Sequence, residues 1–77
     1  MLVAIDDNVY EMNKKSFKNL AKIVEAKKKG SYSIYCLVSS KFAMFINENF
    51  ETKDELLRNV AEYASLGRKV LYTTEEV

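Results

Sequence analysis

The pattern of hydrophobic and polar positions predicts that the chain begins with a β-hairpin. Two short apolar runs flank the turn segment Asp6-Asp7-Asn8. Aspartate and asparagine favour turns because their short side chains bond to the nearby backbone and tolerate the left-handed conformation. We therefore predict strands over 2–6 and 8–12.

A helix is predicted between Asn13 and Gly30, because apolar side chains recur there at helical spacing. Asn13 is a suitable N-cap, since its side chain can accept a hydrogen bond from the first turn. Gly30 is a suitable terminator, because glycine readily adopts the left-handed conformation that ends many helices. The apolar stripe consists of Phe17, Leu20, Ala21 and Val24, widened by Ile23.

The second half of the chain predicts a hairpin, a helix and a strand. Segments 32–39 and 42–47 are rich in β-branched and aromatic residues, which is typical of strands. Thr52 and Glu55 have the spacing of a capping box and open a second helix, which Gly67 would end. A last strand follows over 68–73.

The element order β-β-α-β-β-α-β indicates a single α+β domain over 1–77, with a small, mainly antiparallel sheet and two helices. The end of the chain, within 73–77, is predicted to fray. Periodicity does not fix the sides of the helices. Either both helices pack on one face of the sheet, or one helix packs on each face in a three-layer arrangement.

Both faces of the central hairpin carry sizeable apolar side chains. Strict alternation places Ile34 and Cys36 on one face of the first strand, and Tyr35 and Leu37 on the other. If both helices cover one face, the other exposes a patch of Tyr35, Leu37 and Phe45, a candidate interface with a partner or with a second copy. If one helix lies on each face, no such patch is exposed.

Composition argues against an enzyme. The chain has 77 residues, 48% of them hydrophobic, and no proline, which is typical of a small ordered domain with little chain to spare for a deep cleft. It has no histidine, the usual general base and metal ligand. Its two glycines are predicted helix terminators, so no glycine-rich phosphate loop exists. We predict no enzymatic activity, no cofactor, no metal and no small-molecule substrate.

Cysteine usage and hydropathy predict a cytoplasmic protein. The single Cys36 cannot form an internal disulfide, although most stable secreted domains of this size depend on disulfides. Its place in the middle of a strand predicts a buried thiol. The start of the chain lacks the basic segment of a signal peptide. No stretch approaches the roughly 20 apolar residues of a membrane span.

Positive charge is concentrated in the first helix. Residues 13–29 hold seven lysines and one acid, whereas residues 31–77 hold five basic and seven acidic residues. The lysines over 27–29 complement the dipole at the helix end, but those at 14 and 15 oppose it in the first turn. A local rule broken without local gain can mark a functional site. The candidate anion- or partner-binding residues are Lys14, Lys15, Lys18 and Lys22.

The same lysines also fit a solvated helix face that keeps a small protein in solution. A helical wheel places Lys15, Lys18 and Lys22 opposite Phe17, with Lys14 at the rim of the apolar stripe. Acidic residues of the first hairpin would be near enough to neutralise the first turn. The lysine cluster therefore has a structural interpretation beside the functional one.

The segment IDDNVYEMNKKSFKNLAKI, a hairpin that leads into a lysine-rich helix, resembles short uncharacterised phage and prophage proteins of low-GC Gram-positive bacteria. The resemblance covers the first third of the chain. Many such proteins bind and inhibit a host enzyme or a defence system, and others bind nucleic acid. The resemblance therefore implies either an inhibitor that acts by binding or a nucleic-acid-binding protein, and it assigns no residue a role.

The sequence leaves two functions open. The first is a non-catalytic protein that binds a protein partner or a second copy of itself, through the apolar sheet face or the basic helix. The second is nucleic-acid binding, in which the basic helix 13–29 holds phosphates and sheet aromatics stack on bases. Neither of the aromatic-rich patterns of the common RNA-recognition fold is present. No contact with a membrane is predicted.

Overall fold

The structure, a computed structural model, describes residues 1–73, in which two helices accompany a five-stranded sheet. The elements are β1 (Leu2–Ile5), β2 (Asn8–Glu11), α1 (Lys14–Lys27), β3 (Tyr32–Val38), β4 (Phe42–Phe50), α2 (Lys53–Ser65) and β5 (Lys69–Thr73). The strand order is β2-β1-β4-β3-β5, with β1 and β4 parallel and the other neighbours antiparallel. The predicted α+β class and element order are confirmed.

Both helices begin at the predicted caps. The Asn13 side-chain oxygen accepts a hydrogen bond of 2.8 Å from the backbone N–H of Ser16. The Thr52 hydroxyl oxygen accepts one of 3.2 Å from the backbone N–H of Glu55. Each bond satisfies an N–H group that the first turn of a helix leaves without an intrahelical partner.

Left-handed backbone occurs where the sequence predicts it. Asp6 has a φ of 55° in the two-residue turn that joins β1 to β2. Gly30 and Gly67, with φ of 88° and 75°, follow the two helices. Glycine adopts such angles without the steric cost that a Cβ would add.

Several strand ends differ from the prediction by one residue, and the end of β4 differs by more. β4 continues to Phe50, past the predicted end at 47. Thr73 is not frayed, because it belongs to β5 and is buried. Its hydroxyl accepts a hydrogen bond of 3.1 Å from the backbone N–H of Ser33 and donates one of 2.8 Å to the carbonyl of Ser31. The remainder of the predicted tail, 74–77, lies outside the described residues.

The two helices pack on opposite faces of the sheet, which gives three layers. On β5, Val70 belongs to the same core as Leu56 of α2, whereas Leu71 packs against the core that contains Phe17 of α1. Neighbouring residues of a strand point to opposite faces. The two sides of the sheet are therefore called the α1 face and the α2 face.

Each face has a small core of its own. Both cores draw on the central strands of the sheet, but each is closed by a different helix. The α1 core consists of Val3, Phe17, Tyr35, Cys36 and Ala43. The α2 core consists of Ile34, Leu56 and Val70.

The alternation predicted for β3 is broken in its middle. Tyr35 and Cys36 are neighbours in the chain, yet both contribute to the α1 core. The pairing of β3 with both adjacent strands shifts register between Ile34 and Cys36. Such an irregularity re-aims side chains. Contrary to the prediction, Ile34 therefore shares its face with Leu37, and Cys36 lies on the other face.

Candidate functional site

The exposed patch predicted from Tyr35, Leu37 and Phe45 does not form. Tyr35 is 3% exposed and lies in the α1 core. Phe45 packs against the same core, with its ring centroid 5.9 Å from that of Phe17. Leu37 packs against the α2 core, on the opposite face. The helices adopt the three-layer arrangement, for which the sequence predicts no such patch, and the irregularity in β3 separates the three residues.

Neither helix covers its whole face of the sheet. The α1 core takes its buried strand residues from β1, β3 and β4, so the α1 face is open beside β5. The α2 core takes its residues from β3 and β5, with support from β4, so the α2 face is open over β1 and β2. Two surfaces of different chemistry occupy these openings.

The opening on the α2 face is apolar. Register pairs Leu2 with Phe42, and Ala4 with both Met44 and Val9, so these side chains are neighbours on one face. Apart from the small Ala4, they are between 36% and 61% exposed. We call these five residues the apolar sheet surface.

The face of this surface follows from β4. Ile46 packs against the α2 core, whereas the preceding Phe45 packs against the α1 core. Met44 and Phe42 lie two and four residues before Ile46 and therefore share its face. The surface is not evident from the sequence, because it depends on pairing between β1 and β4, which are far apart in the chain.

The opening on the α1 face is a groove with a basic wall. Lys14, Lys18 and Lys22 recur every fourth residue on one side of α1 and line this groove, together with Lys69 of β5. The groove has a volume of about 500 Å³. The fourth predicted lysine, Lys15, is not among the lining residues. We call this site the basic groove.

The floor of the basic groove is apolar. Ala21 of α1 forms one part of it, and Val38 and Leu71 of the sheet form another. Phe17 and Tyr35 also line the groove, although both rings are almost completely buried. The helical period placed Lys18 and Lys22 on one side of α1, but only the packing of α1 beside β5 shows that Lys14 joins them and that an apolar floor lies next to these lysines.

Glu25 is the only carboxylate among the described residues that line the groove, and it accepts a hydrogen bond. The Tyr35 hydroxyl donates to Oε2 of Glu25 over 2.9 Å. Burial, together with this carboxylate, raises the pKa of the Tyr35 phenol well above its ordinary value. Since Glu25 stands against four lysines, the groove presents net positive charge to a ligand.

The remaining groups with shifted pKa values have structural roles. Cys36 is a buried free thiol, as predicted, and burial raises its pKa to about 11. The Tyr63 hydroxyl donates a hydrogen bond to Glu48, which raises the pKa of the phenol. A thiol kept protonated in a core is a poor nucleophile.

These shifts predict that the protein loses stability in alkali. The ordinary pKa of a thiol here is 9.0, against about 11 for Cys36 in the fold. Between these values the unfolded chain releases a proton that the folded chain retains, so the free energy of unfolding falls as the pH rises. Tyr35 and Tyr63 act in the same direction at higher pH. Urea unfolding at pH 8 and at pH 10.5 measures the fall.

The variant Cys36→Ala is the control for this prediction. Its stability should depend less on pH between 9 and 11 than that of the unaltered protein, because one of the shifted groups is gone. At pH 8 the thiol of Cys36 should react with iodoacetamide about 100-fold more slowly in the folded protein than in the unfolded chain. The reason is that the pKa rises from 9.0 to about 11, and the thiolate fraction falls tenfold per pKa unit. Equal reaction rates would contradict the burial of the thiol.

The described residues 1–73 contain no group of three or more histidine, cysteine, aspartate or glutamate side chains placed to hold a metal ion. Across the same range, neither α1 nor α2 has both the length and the apolar character that crossing a bilayer requires.

Comparison with known proteins gives no match. No protein-family model fits the chain, and no curated protein or solved structure matches it. The apolar sheet surface and the basic groove are therefore the two features from which a function can be proposed.

Proposed function

We propose that this chain is a small non-catalytic protein that acts by binding another protein through the apolar sheet surface. The observation that carries the proposal is the group of large apolar side chains that remain exposed on three adjacent strands: Leu2, Val9, Phe42 and Met44. Contiguous apolar patches on small proteins commonly mark sites of protein contact.

Folding alone does not require apolar side chains at these positions. An apolar side chain that stays exposed does not gain the stabilisation that burial would contribute, which is roughly 25 cal/mol per Å² of apolar surface. A polar residue on an open sheet face would be compatible with the same strand. A partner that covers the surface would recover the burial, which explains why several such residues stand together.

The neighbouring sheet edge adds a second means of contact. β2 is an edge strand, and all four of its residues are exposed. An edge strand offers backbone N–H and C=O groups to a strand of a partner. A partner that pairs with β2 would lie directly beside Val9 and cover the apolar sheet surface at the same time.

The resemblance of residues 5–23 to phage-type proteins suggests the class of partner. In this proposal the partner is a host enzyme or a defence protein, and the chain inhibits it by occupying a surface. The cytoplasm is the proposed location, in keeping with the free thiol of Cys36. A second copy of the chain is another occupant compatible with an apolar surface, and the experiment separates the two.

The test compares affinity capture of the unaltered protein with that of Val9→Asp and Met44→Asp, from the producing or infected cell, with quantitative mass spectrometry. We expect one partner protein to be enriched and to be lost with both variants. Leu66→Asp is the matched control, because Leu66 is 78% exposed and lies outside this surface. Circular dichroism verifies that each variant is folded.

Sedimentation velocity on the same proteins identifies self-association. A dimer that both aspartate variants dissociate assigns the surface to a second copy. The proposal is wrong if the unaltered protein is a monomer and enriches no protein. It is also wrong if the partner binds Val9→Asp and Met44→Asp as tightly as it binds Leu66→Asp.

Nucleic-acid binding has weaker support. The sheet aromatics Tyr35 and Phe45, which would have to stack on bases, pack beneath α1. Three of the four predicted phosphate-binding lysines do lie together in the basic groove, but the rings among its described lining residues, Phe17 and Tyr35, are buried. Base stacking contributes much of the affinity of single-stranded nucleic acid for its proteins.

A further inference from the structure

We infer that the basic groove binds an acidic amphipathic helix of a partner protein. The groove lies on the α1 face, and the apolar sheet surface lies on the α2 face. The inference therefore concerns a second site and does not depend on the apolar sheet surface having a partner.

The position of the groove suits a helix. It runs beside α1 from Lys14 to Glu25, a distance of about 16 Å at 1.5 Å per residue. The sheet beneath it is the part of the α1 face that α1 leaves open. Sheets in α+β proteins are commonly covered by adjacent helices. A helix of the partner would lie next to α1 and extend the helical layer over β5.

The charge pattern specifies the acidic side of the partner. Lys14, Lys18 and Lys22 follow one another at intervals of about 6 Å along α1. Acidic residues four apart on a second helix recur at the same interval. A helix aligned with α1 would therefore bring three carboxylates opposite three ammonium groups at once. Lys69 provides a fourth positive charge from the sheet.

The first turn of α1 supports the same conclusion. It contains Lys14 and Lys15 and no acidic residue. Cations at this end oppose the helix dipole. A carboxylate of the partner next to Lys14 would offset that cost, whereas a solvated lysine would not.

The floor of the groove specifies the apolar side of the partner. The half-buried side chains of Val38 and Leu71 would remain in contact with water beneath a ligand that is charged on every side. Aliphatic residues at helical spacing on the partner would cover them, as in other complexes that place an amphipathic helix in a groove. A nucleic acid is less suited, because the rings of Phe17 and Tyr35 are buried and offer no stacking surface.

The test uses a fluorescently labelled synthetic helical peptide with glutamate at every fourth position and an adjacent stripe of leucines. Anisotropy at low and at moderate salt measures its binding to the full chain. We expect the double variant Lys18→Glu/Lys22→Glu to bind at least about tenfold more weakly, because two attractive charge pairs become repulsive. Lys18→Gln/Lys22→Gln, a milder change, should lose affinity in the same direction.

Lys15→Glu provides the matched control. It reverses one charge on the same helix, against two in the double variant, but lies outside the groove lining, so we expect less than about a twofold change in affinity. Two altered peptides test the ligand. Replacing its glutamates by glutamine, or its leucines by serine, should each weaken binding to a similar extent or more.

Several results would overturn the inference. One is a lack of peptide binding at low salt, and another is an equal loss with Lys15→Glu, which would indicate general attraction between opposite charges. Unchanged binding of the serine peptide, or tighter binding of a single-stranded oligonucleotide that depends on Lys18 and Lys22, would assign the groove to polyanions instead. Val9→Asp and Met44→Asp should bind the peptide normally, so this test is separate from that of the proposed function.

Discussion

Replacing Leu56 by alanine is expected to lower the free energy of unfolding by about 2–5 kcal/mol. Leu56 is completely buried and is the central residue through which α2 contacts the sheet, against Ile34 and Val70. The loss combines the transfer free energy of the removed atoms with the cost of the cavity that they leave. A domain of this length has a stability of about 4–11 kcal/mol. Urea denaturation followed by circular dichroism measures the change.

The adjacent leucine gives a matched control. Leu57 is in the same turn of α2 but is 40% exposed, so Leu57→Ala should cost less than about 1 kcal/mol. A loss at Leu57 as large as that at Leu56 would show that α2 is not held to the sheet by the contacts described. Peptide binding to the basic groove should survive in the folded fraction of Leu56→Ala, because α2 is on the other face.

Replacing Phe17 by alanine is expected to cost about 3–5 kcal/mol, the usual range for a buried phenylalanine. Phe17 is 8% exposed and joins α1 to a core of strand residues. Its ring also makes a tilted contact with that of Phe45. Because Phe17 lines the basic groove, the variant should weaken peptide binding as well as folding. Urea unfolding and the anisotropy assay measure the two effects.

Two further variants test the physical reason for this effect. Ile23→Ala, on the same helix and 55% exposed, should change stability by less than about 1 kcal/mol. The double variant Phe17→Ala/Phe45→Ala should lose less than the sum of its single variants, by about 0.5–1.5 kcal/mol, if the two rings contribute a contact beyond burial. Strict additivity would mean that the ring contact contributes nothing.

Local signals in the sequence were sufficient to predict the helices, the strands and the turn between β1 and β2. The caps at Asn13 and Thr52 and the left-handed turn at Asp6 each depend on residues within four positions of one another. Hydrogen bonds and backbone preferences over so short a distance are largely independent of the rest of the fold. For the same reason the helical period indicated that several lysines of α1 lie on one side.

Which residues come together in the two candidate sites depends on tertiary contacts that the sequence does not specify. Strict alternation predicted that Tyr35 and Leu37 share a face, but the register shift in β3 places them on opposite faces, and each face is covered by a helix. The helical wheel of α1 grouped Lys15 with the candidate lysines, although Lys15 does not line the groove. The wheel could not include Lys69, which reaches the groove only because β5 lies beside β3.

The order of the elements, their caps and the basic side of α1 are evident from the sequence, because these properties arise from neighbours in the chain. The placement of α1 and α2 on opposite faces, and the different part of the sheet that each leaves open, are established only when the chain folds. The physical reason is that strand pairing joins distant segments, such as Leu2 with Phe42, through backbone bonds available to any residue. The apolar sheet surface and the floor of the basic groove are both consequences of that pairing.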